Sequence, residues 1–404
     1  MSQPSHVGQQ RSSYDLVIVG GGPAGLATAI YGRLHGLSCA VFDRHGLPLD
    51  KACGEALLPR GVDHLERMGV SLAGLRAPPF LGVRYISGSV AAEGRFRGRT
   101  GLGIRRTELV GALVGRAREL GAELHYGQAV DSWQPTDGTV EGVAAGQRFV
   151  ARFLVGADGL HSAVRRRMGL ERRTTAPRRF GIRRHFRVKP WSRLAEVHLS
   201  DGAEAYITPV AHDEVAVAVL GPGDGRSFEQ LLGELPDVEA RLQGAEPVSE
   251  ARGSGPFRKR VTRRYSGRVA LVGDAAGYVD AITAEGLAIG FASAAALART
   301  VAARRPLSEY EGEYRILSRG HEPVARALLF ITARPWLRRR TMRMLADNPD
   351  ALTGLLAVND GDSWVRTFGP RGMLRMLAGM LRPVSGQARS GEAHEAVGAN
   401  MPVP

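Results

Sequence analysis

The segment VIVGGGPAGLATAI, residues 17–30, constrains this chain more than any other. Aliphatic residues run into three glycines and a proline, and a helix-forming stretch follows. Gly20-x-Gly22-x-x-Gly25 therefore joins a predicted strand to a predicted helix. The first glycine permits a tight turn. The second lets backbone approach a pyrophosphate, and the third lets helix and strand pack closely. The helix N-terminus, from Pro23 and Ala24 onward, adds free N–H groups and the positive end of its dipole. Asp43 ends the next predicted strand, where an acid would bind ribose hydroxyls. A glycine loop that merely turns is the plainer alternative. With its strand, helix and acid in place, the motif marks a dinucleotide site, but it does not separate NAD from FAD.

Two later stretches bear on that choice. FLVGADGLHSAVRR, 153–166, is an apolar strand ending in Gly-Ala-Asp158-Gly159, followed by a helix start. RVALVGDAAGYVDAITAEGLAIG, 268–290, is another apolar strand, ending in Gly273-Asp274. The Asp274 carboxylate is placed to accept from a ribitol hydroxyl. The turn Ala284-Glu285-Gly286-Leu287 opens a second helix, whose positive end suits the electron-rich edge of a flavin.

Together these three stretches resemble the FAD-dependent monooxygenases of the p-hydroxybenzoate hydroxylase type and their relatives, the geranylgeranyl reductases and flavin halogenases. The resemblance spans roughly residues 14–330. It implies that Gly20, Gly22, Pro23, Ala24 and Gly25 hold the ADP half of FAD, with Asp43, Arg44 and Val130 beside it. Asp158 and Gly159 would lie near the pyrophosphate, and Gly273 and Asp274 on the ribitol. Arg106, in an Arg-x-x-Leu stretch before a helix, and Glu285, Gly286 and Leu287 complete the implied cofactor set. Two departures stand out. Gly277 and Ala281 occupy positions where the hydroxylases usually carry His and Pro. The GDAAGY form and KACGEALLP, 51–59, are closer to the reductase and halogenase branches and to hydroxylases of lipidic phenols or polyketides.

The implied fold is α/β: a glutathione-reductase-type, Rossmann-like FAD domain with an inserted antiparallel β-sheet substrate domain and a helical C-terminus. Expected boundaries are 1–13 as a disordered N-terminus and 14–75, 102–175 and 265–330 as the discontinuous FAD domain. Residues 76–101 and 176–264 form the substrate domain, 331–385 the C-terminal helices and 386–404 a flexible tail. With 44% hydrophobic and 23% charged residues, the chain reads as globular. Its polar N-terminus, lacking an apolar signal core, points to the cytoplasm. Cys39 and Cys53 form neither a disulfide framework nor a zinc pattern. The net charge of +14 is carried almost wholly by arginine, and no nucleic-acid module accompanies it. A monomer or homodimer is expected.

For the chemistry, Cys53 and Gly54 follow the second strand closely enough to face the flavin; a plain turn with a buried thiol is the alternative. His185, His198 and Tyr206 lie on the sheet expected to roof the flavin, and any of them could deprotonate a phenol. A hydrogen-bonded structural histidine is the commoner case. No metal-ligand spacing is present. The basic stretches 333–345 and 371–383 suit either an anionic membrane surface or packing on the core. The resemblance implies NAD(P)H as electron donor, O2 as co-substrate and a flavin C4a-hydroperoxide that hydroxylates a small aromatic or lipid-like substrate, phenolic or polyketide-like. Reduction of isoprenoid double bonds is the second expectation. Halogenation and a non-catalytic binding protein are weaker, because no Trp-x-Trp-x-Ile-Pro stretch occurs and all three flavin turns are intact.

Overall fold

A computed structural model describes residues 12–175, 177–359, 361–362, 366–369 and 372. The tail 386–404, most of the 371–383 stretch and residues 1–11 lie outside the described residues. Ser12 and Ser13, expected within the disordered N-terminus, already belong to the first strand, where they pair with Phe149 and Val150. Backbone pairing along the longer partner strand carries the sheet two residues further than the apolar run alone indicates.

The first sheet is built on five parallel strands joined in four pairings, and its inner strands carry the near-continuous apolar runs that cover on both faces requires. Its order is Val269–Leu271, Gln147–Gly156, Ser12–Val19, Cys39–Asp43 and Glu123–Tyr126, with Tyr265–Ser266 at one edge. The register decides where chemistry can occur. Val19 pairs with Gly156, and Gly156 pairs with Leu271. The three strands thus end in one row, and all three glycine motifs leave the sheet along that row. The chain departs from Ser12–Val19 to neighbours on opposite sides, which opens a crevice at the carboxyl edge. Helices Pro23–Leu34 and Gly286–Ala302 pack against each other over this sheet. Leu16, Ile18, Leu26, Ile30, Leu154, Phe291 and Leu297 are fully buried between the layers.

The second sheet is mostly antiparallel. It runs Glu246–Pro247, Arg179–Arg187, Glu214–Pro222, Glu204–Ala211, Ala195–Leu199, Gly82–Ser87 and Val90–Arg95. Helices Phe228–Leu232 and Pro236–Leu242 cover one part of it, through Phe228, Leu231 and Val238. Helices Pro335–Ala346 and Pro349–Asn359 cover its far edge, where Met342, Leu345 and Leu352 pack on Val83, Ala92 and Val197. Gly94 lies so close to that helix that a Cβ there would sit 2.7 Å from Leu352 Cγ.

Candidate active site

The first turn takes the shape its glycines predict. Gly20 has φ +112°, a region side chains avoid, and a Cβ on it would also strike the Ala157 carbonyl. A Cβ on Gly25 would collide with the Gly20 carbonyl oxygen, so this glycine sets the distance between helix and strand. Gly22 differs. It is the N-cap of helix Pro23–Leu34 without a side-chain cap, and nothing lies within 4 Å of where its Cβ would be. It faces a cavity of about 1260 Å³ that begins at this helix N-terminus.

The third turn meets the first directly. Gly273 has φ +57°, and a Cβ on it would lie 2.6 Å from the Ala24 Cβ. Beyond it, the N-terminal turn of Gly286–Ala302 opens on the same cavity through Gly286, Leu287 and Gly290. Asp274 lines the space. Burial raises its carboxyl pKa, against Arg106, Lys51 and Arg165, which pull it down. Asp158 also lines it. One of its carboxylate oxygens caps the helix Ala163–Arg167, accepting from the Ala163 and Val164 N–H groups at 2.7 and 3.2 Å. The other is buried without a partner among the described residues, as is Arg106 Nε. Unsatisfied buried atoms of this kind call for a polar ligand. Open backbone at one helix end, a second helix end, and these polar atoms suit the pyrophosphate and ribitol of FAD.

Of the residues the sequence nominates, Gly22, Pro23, Ala24, Arg44, Cys53, Gly54, Arg106, Asp158, Gly159, Gly273, Asp274, Gly286 and Leu287 line this cavity. Gly20 and Gly25 shape it from behind. Asp43 stands behind it too: its carboxylate accepts from the Gly21 and His45 N–H groups at 2.8 and 2.9 Å and braces the glycine turn. Val130 packs against the hydrophobic core at the start of a strand, away from the cavity wall. Glu285 is buried, with its Oε1 accepting from Asn359 Nδ2 at 2.9 Å. Arg106 is the first residue of its helix and not a residue before it.

The three acid–base candidates separate. Only Tyr206 lines the cavity. His198 points behind the wall to Glu196 Oε2, 3.1 Å away, an oxygen that Trp191 Nε1 also reaches at 2.8 Å. His185 is 1% exposed and sits 2.6 Å from Glu55 Oε2 through Nε2. Ser249 Oγ lies 2.8 Å from its Nδ1, and the Arg183 and Arg105 guanidinium groups approach the same nitrogen at 3.0 and 3.3 Å. Strand alternation turns His198 to the face away from Tyr206, whereas His185 shares the Tyr206 face and is covered by the loop that carries Glu55, which a single sequence does not reveal.

That pairing exposes residues missed at the sequence level. Glu55 has φ +59° and sits at the end of the loop Lys51–Glu55. Its Oε1 accepts from the Arg106 N–H at 2.9 Å. Arg183, fully buried, pairs with Asp50, and Thr208 Oγ1 donates to the Gly54 carbonyl at 2.8 Å. The sheet thereby clamps the loop bearing Lys51, Cys53 and Gly54 over the cofactor half of the cavity. The CGE stretch was the only available signal, and it did not indicate the partner.

The rest of the cavity is mostly apolar. It extends past Val197, Ala218 and Leu220 to Val324, Leu328 and Ile331 of helix His321–Thr332, and to Leu345, Leu352 and Leu356 of the last helices. A second ionic group stands behind this wall. Arg179 makes paired bonds to Glu204 at 2.9 and 3.2 Å and approaches Asp280 at 3.2 Å. Tyr206 donates to Glu204 Oε2 at 3.2 Å.

Comparison with known proteins agrees with this geometry. The family described as FAD binding domain matches residues 13–313. A rifampicin monooxygenase of Streptomyces venezuelae is 25% identical over 96% of this chain and 82% of its own length. A menaquinone reductase of Mycolicibacterium smegmatis is 27% identical over 68% of this chain and 73% of its own. The solved structure of OxyS, an anhydrotetracycline hydroxylase from Streptomyces rimosus, superposes with a TM-score of 0.70 at 26% identity, covering 86% and 75% of the two chains. The chain belongs to the FAD binding domain family and is an FAD-dependent oxidoreductase.

Proposed function

We propose that this protein is an NAD(P)H-driven monooxygenase that hydroxylates a phenolic or polyketide-like aromatic compound. The observation that carries this reading is the continuity of the cavity. One space runs from the cofactor turns to an apolar chamber large enough for a multi-ring molecule, and Tyr206 is a polar side chain facing it beside Ala218 and Leu220. The names of the rifampicin and anhydrotetracycline enzymes support the substrate class. FAD, once reduced, supplies the activation of O2.

The protein's own residues bind, orient and keep dry. The helix ends at Gly22 and Gly286 favour the phosphates and the electron-rich ring edge. The clamped loop closes over the cofactor, and the apolar chamber excludes water that would otherwise compete for the reactive oxygen. Tyr206 does not act as a base; with its one O–H given to Glu204, its oxygen meets a substrate hydroxyl as an acceptor. Burial raises its pKa well above the ordinary tyrosine value, with Glu204 and Tyr85 adding to it, so the phenol stays protonated at neutral pH. It orients a substrate oxygen and leaves the reacting carbon free. The overall reaction converts substrate, O2, NAD(P)H and a proton into hydroxylated product, NAD(P)+ and water.

A second reading, reduction of an isoprenoid double bond, is favoured by the mostly apolar lining of the chamber. One experiment separates the two. Purified flavoprotein is supplied with NAD(P)H, isotopically labelled O2 and a panel of polycyclic phenols, and products are weighed by mass spectrometry. The monooxygenase reading expects one labelled oxygen per product. A product heavier by two hydrogens, formed without O2 from a prenyl substrate, replaces it with the reductase reading.

A further inference from the structure

We propose that the surface formed by helices His321–Thr332 and Pro335–Ala346 docks on an anionic lipid bilayer, with the cavity mouth turned toward it. Helix His321–Thr332 has two working faces. Val324, Leu328 and Ile331 line the cavity, whereas Phe330 points outward and is 53% exposed. Pro323 and Ala327 belong to both faces: they line the cavity and are exposed to solvent. The cavity therefore opens along this helix.

What surrounds the mouth is unusual for this molecule. Among the described residues, the large hydrophobic side chains left exposed are Leu34, Leu47, Ile316, Phe330 and Trp336. The last three belong to the consecutive helices Leu307–Ser318, His321–Thr332 and Pro335–Ala346, the latter two of which line the cavity, and Trp336 is 60% exposed. Aromatic rings at such a site suit a bilayer interface. From Pro323 to Ala346 the sequence carries six arginines and no carboxylate. Arg338 turns inward to Asp201, and Arg326 pairs with Glu322 at 3.0 Å. Arg334 lies over the Phe330 ring at 3.6 Å, so charge and aromatic face the same way. Arg339 and Arg343 have no ion-pair partner among the described residues.

Cations around exposed aromatic rings complement an anionic lipid surface. A second copy of this chain is the poorer occupant. A two-fold pairing of this patch would set arginine against arginine. No helix among the described residues is long and apolar enough to cross a membrane, so docking is in the plane of the interface. An apolar ligand held in that interface would enter the chamber without crossing water. This delivery step rests on the aromatic-substrate reading above; the docking itself does not.

The test uses the flavin-loaded full chain, without substrate. It is sedimented with vesicles of phosphatidylcholine alone or mixed with phosphatidylglycerol. Binding to the anionic vesicles is expected to exceed that to the neutral ones by about tenfold or more, and to fall in high salt. Phe330→Ser with Trp336→Ser should reduce it by about tenfold while flavin content and melting temperature hold. Trp336→Phe should bind as the parent does but lose the blue shift of tryptophan emission on binding. Equal binding to both vesicle types, or none, overturns the proposal. So does a dimer in sedimentation velocity that Trp336→Ser dissociates, since the patch would then belong to a second copy. Either failure leaves the monooxygenase reading intact, because no turnover is measured.

Discussion

The two halves of the cavity are built in different ways. In the cofactor half the backbone makes the site. Gly20, Gly25 and Gly273 are held by positive φ or by atoms that leave no room for a Cβ, while Gly22 is left open toward the ligand. Asp158 Oδ1 and Arg106 Nε are buried there without partners among the described residues. In the substrate half the polar groups satisfy each other behind the wall. Glu196 is shared among His198, Trp191 and Arg84, and Glu204 is held by Arg179. What remains facing the chamber is mostly apolar. A cofactor of constant shape can be met by fixed backbone. A chamber formed by side chains can change its contents residue by residue without disturbing the flavin turns.

This contrast makes ordered predictions. The largest effect is expected for Gly25→Ala. Its Cβ meets backbone at Gly20 and not a flexible side chain, so the cost is about 3 kcal/mol or more, with loss of bound flavin. Visible absorbance and thermal melting check it; a yellow protein of normal stability would break the comparison. Ala218→Phe should act only on the other half. Ala218 lines the chamber opposite Tyr206 in the sheet register, so a ring there narrows it. Substrate affinity should fall about tenfold with flavin content unchanged, equivalent to about 1.4 kcal/mol. Loss of flavin in that variant would show that the halves are not separable.

The most gradual effect lies at the seam, on Asp280. Burial pushes its carboxyl up to about 6, against Arg179 and with Glu204 adding to the rise. The folded chain therefore holds a proton there that the unfolded chain has released. Stability from this group is present at low pH and is lost as pH rises from about 4 to about 6, with a slope of at most about 1.4 kcal/mol per pH unit. His64 and His321 act in the opposite sense. Burial lowers both to about 4, so their contribution is lost as pH falls from about 6.5 toward 4. The difference between Asp280→Asn and the parent isolates the carboxyl. Denaturant midpoints across that window should favour the variant progressively as pH rises; a constant difference would place the titration elsewhere.

Legibility followed the same division. The three glycine turns were readable because each is a local requirement, a positive φ or a missing Cβ within a few residues. Their convergence was expected from the fold they resemble, and its physical cause is the register that puts Val19, Gly156 and Leu271 in one row. Asp43 and Glu285 hold partners that the sequence did not show. Each is an acid at the correct edge, yet one carboxylate is spent on backbone amides and the other on Asn359. His185 and His198 show the limit most plainly. His198 is one residue of register away from Val197, which lines the chamber, whereas His185 lies on the chamber-side face and is taken up by Glu55 from a distant loop.

By itself, the sequence determined that a dinucleotide would lie across the carboxyl edge of a parallel sheet. Glycine at Gly20, Gly22 and Gly25 acts over distances that the chain spans locally. Only the tertiary structure decided what the basic C-terminal stretch does. Helices far along the chain close over the second sheet and form the end of the chamber, and their outer face presents Phe330 and Trp336 beside its mouth. The clamp of Glu55 by His185 belongs to the same class, joining residues 130 positions apart. Such contacts depend on how two sheets are brought together, and a local pattern of residue types does not encode that distance.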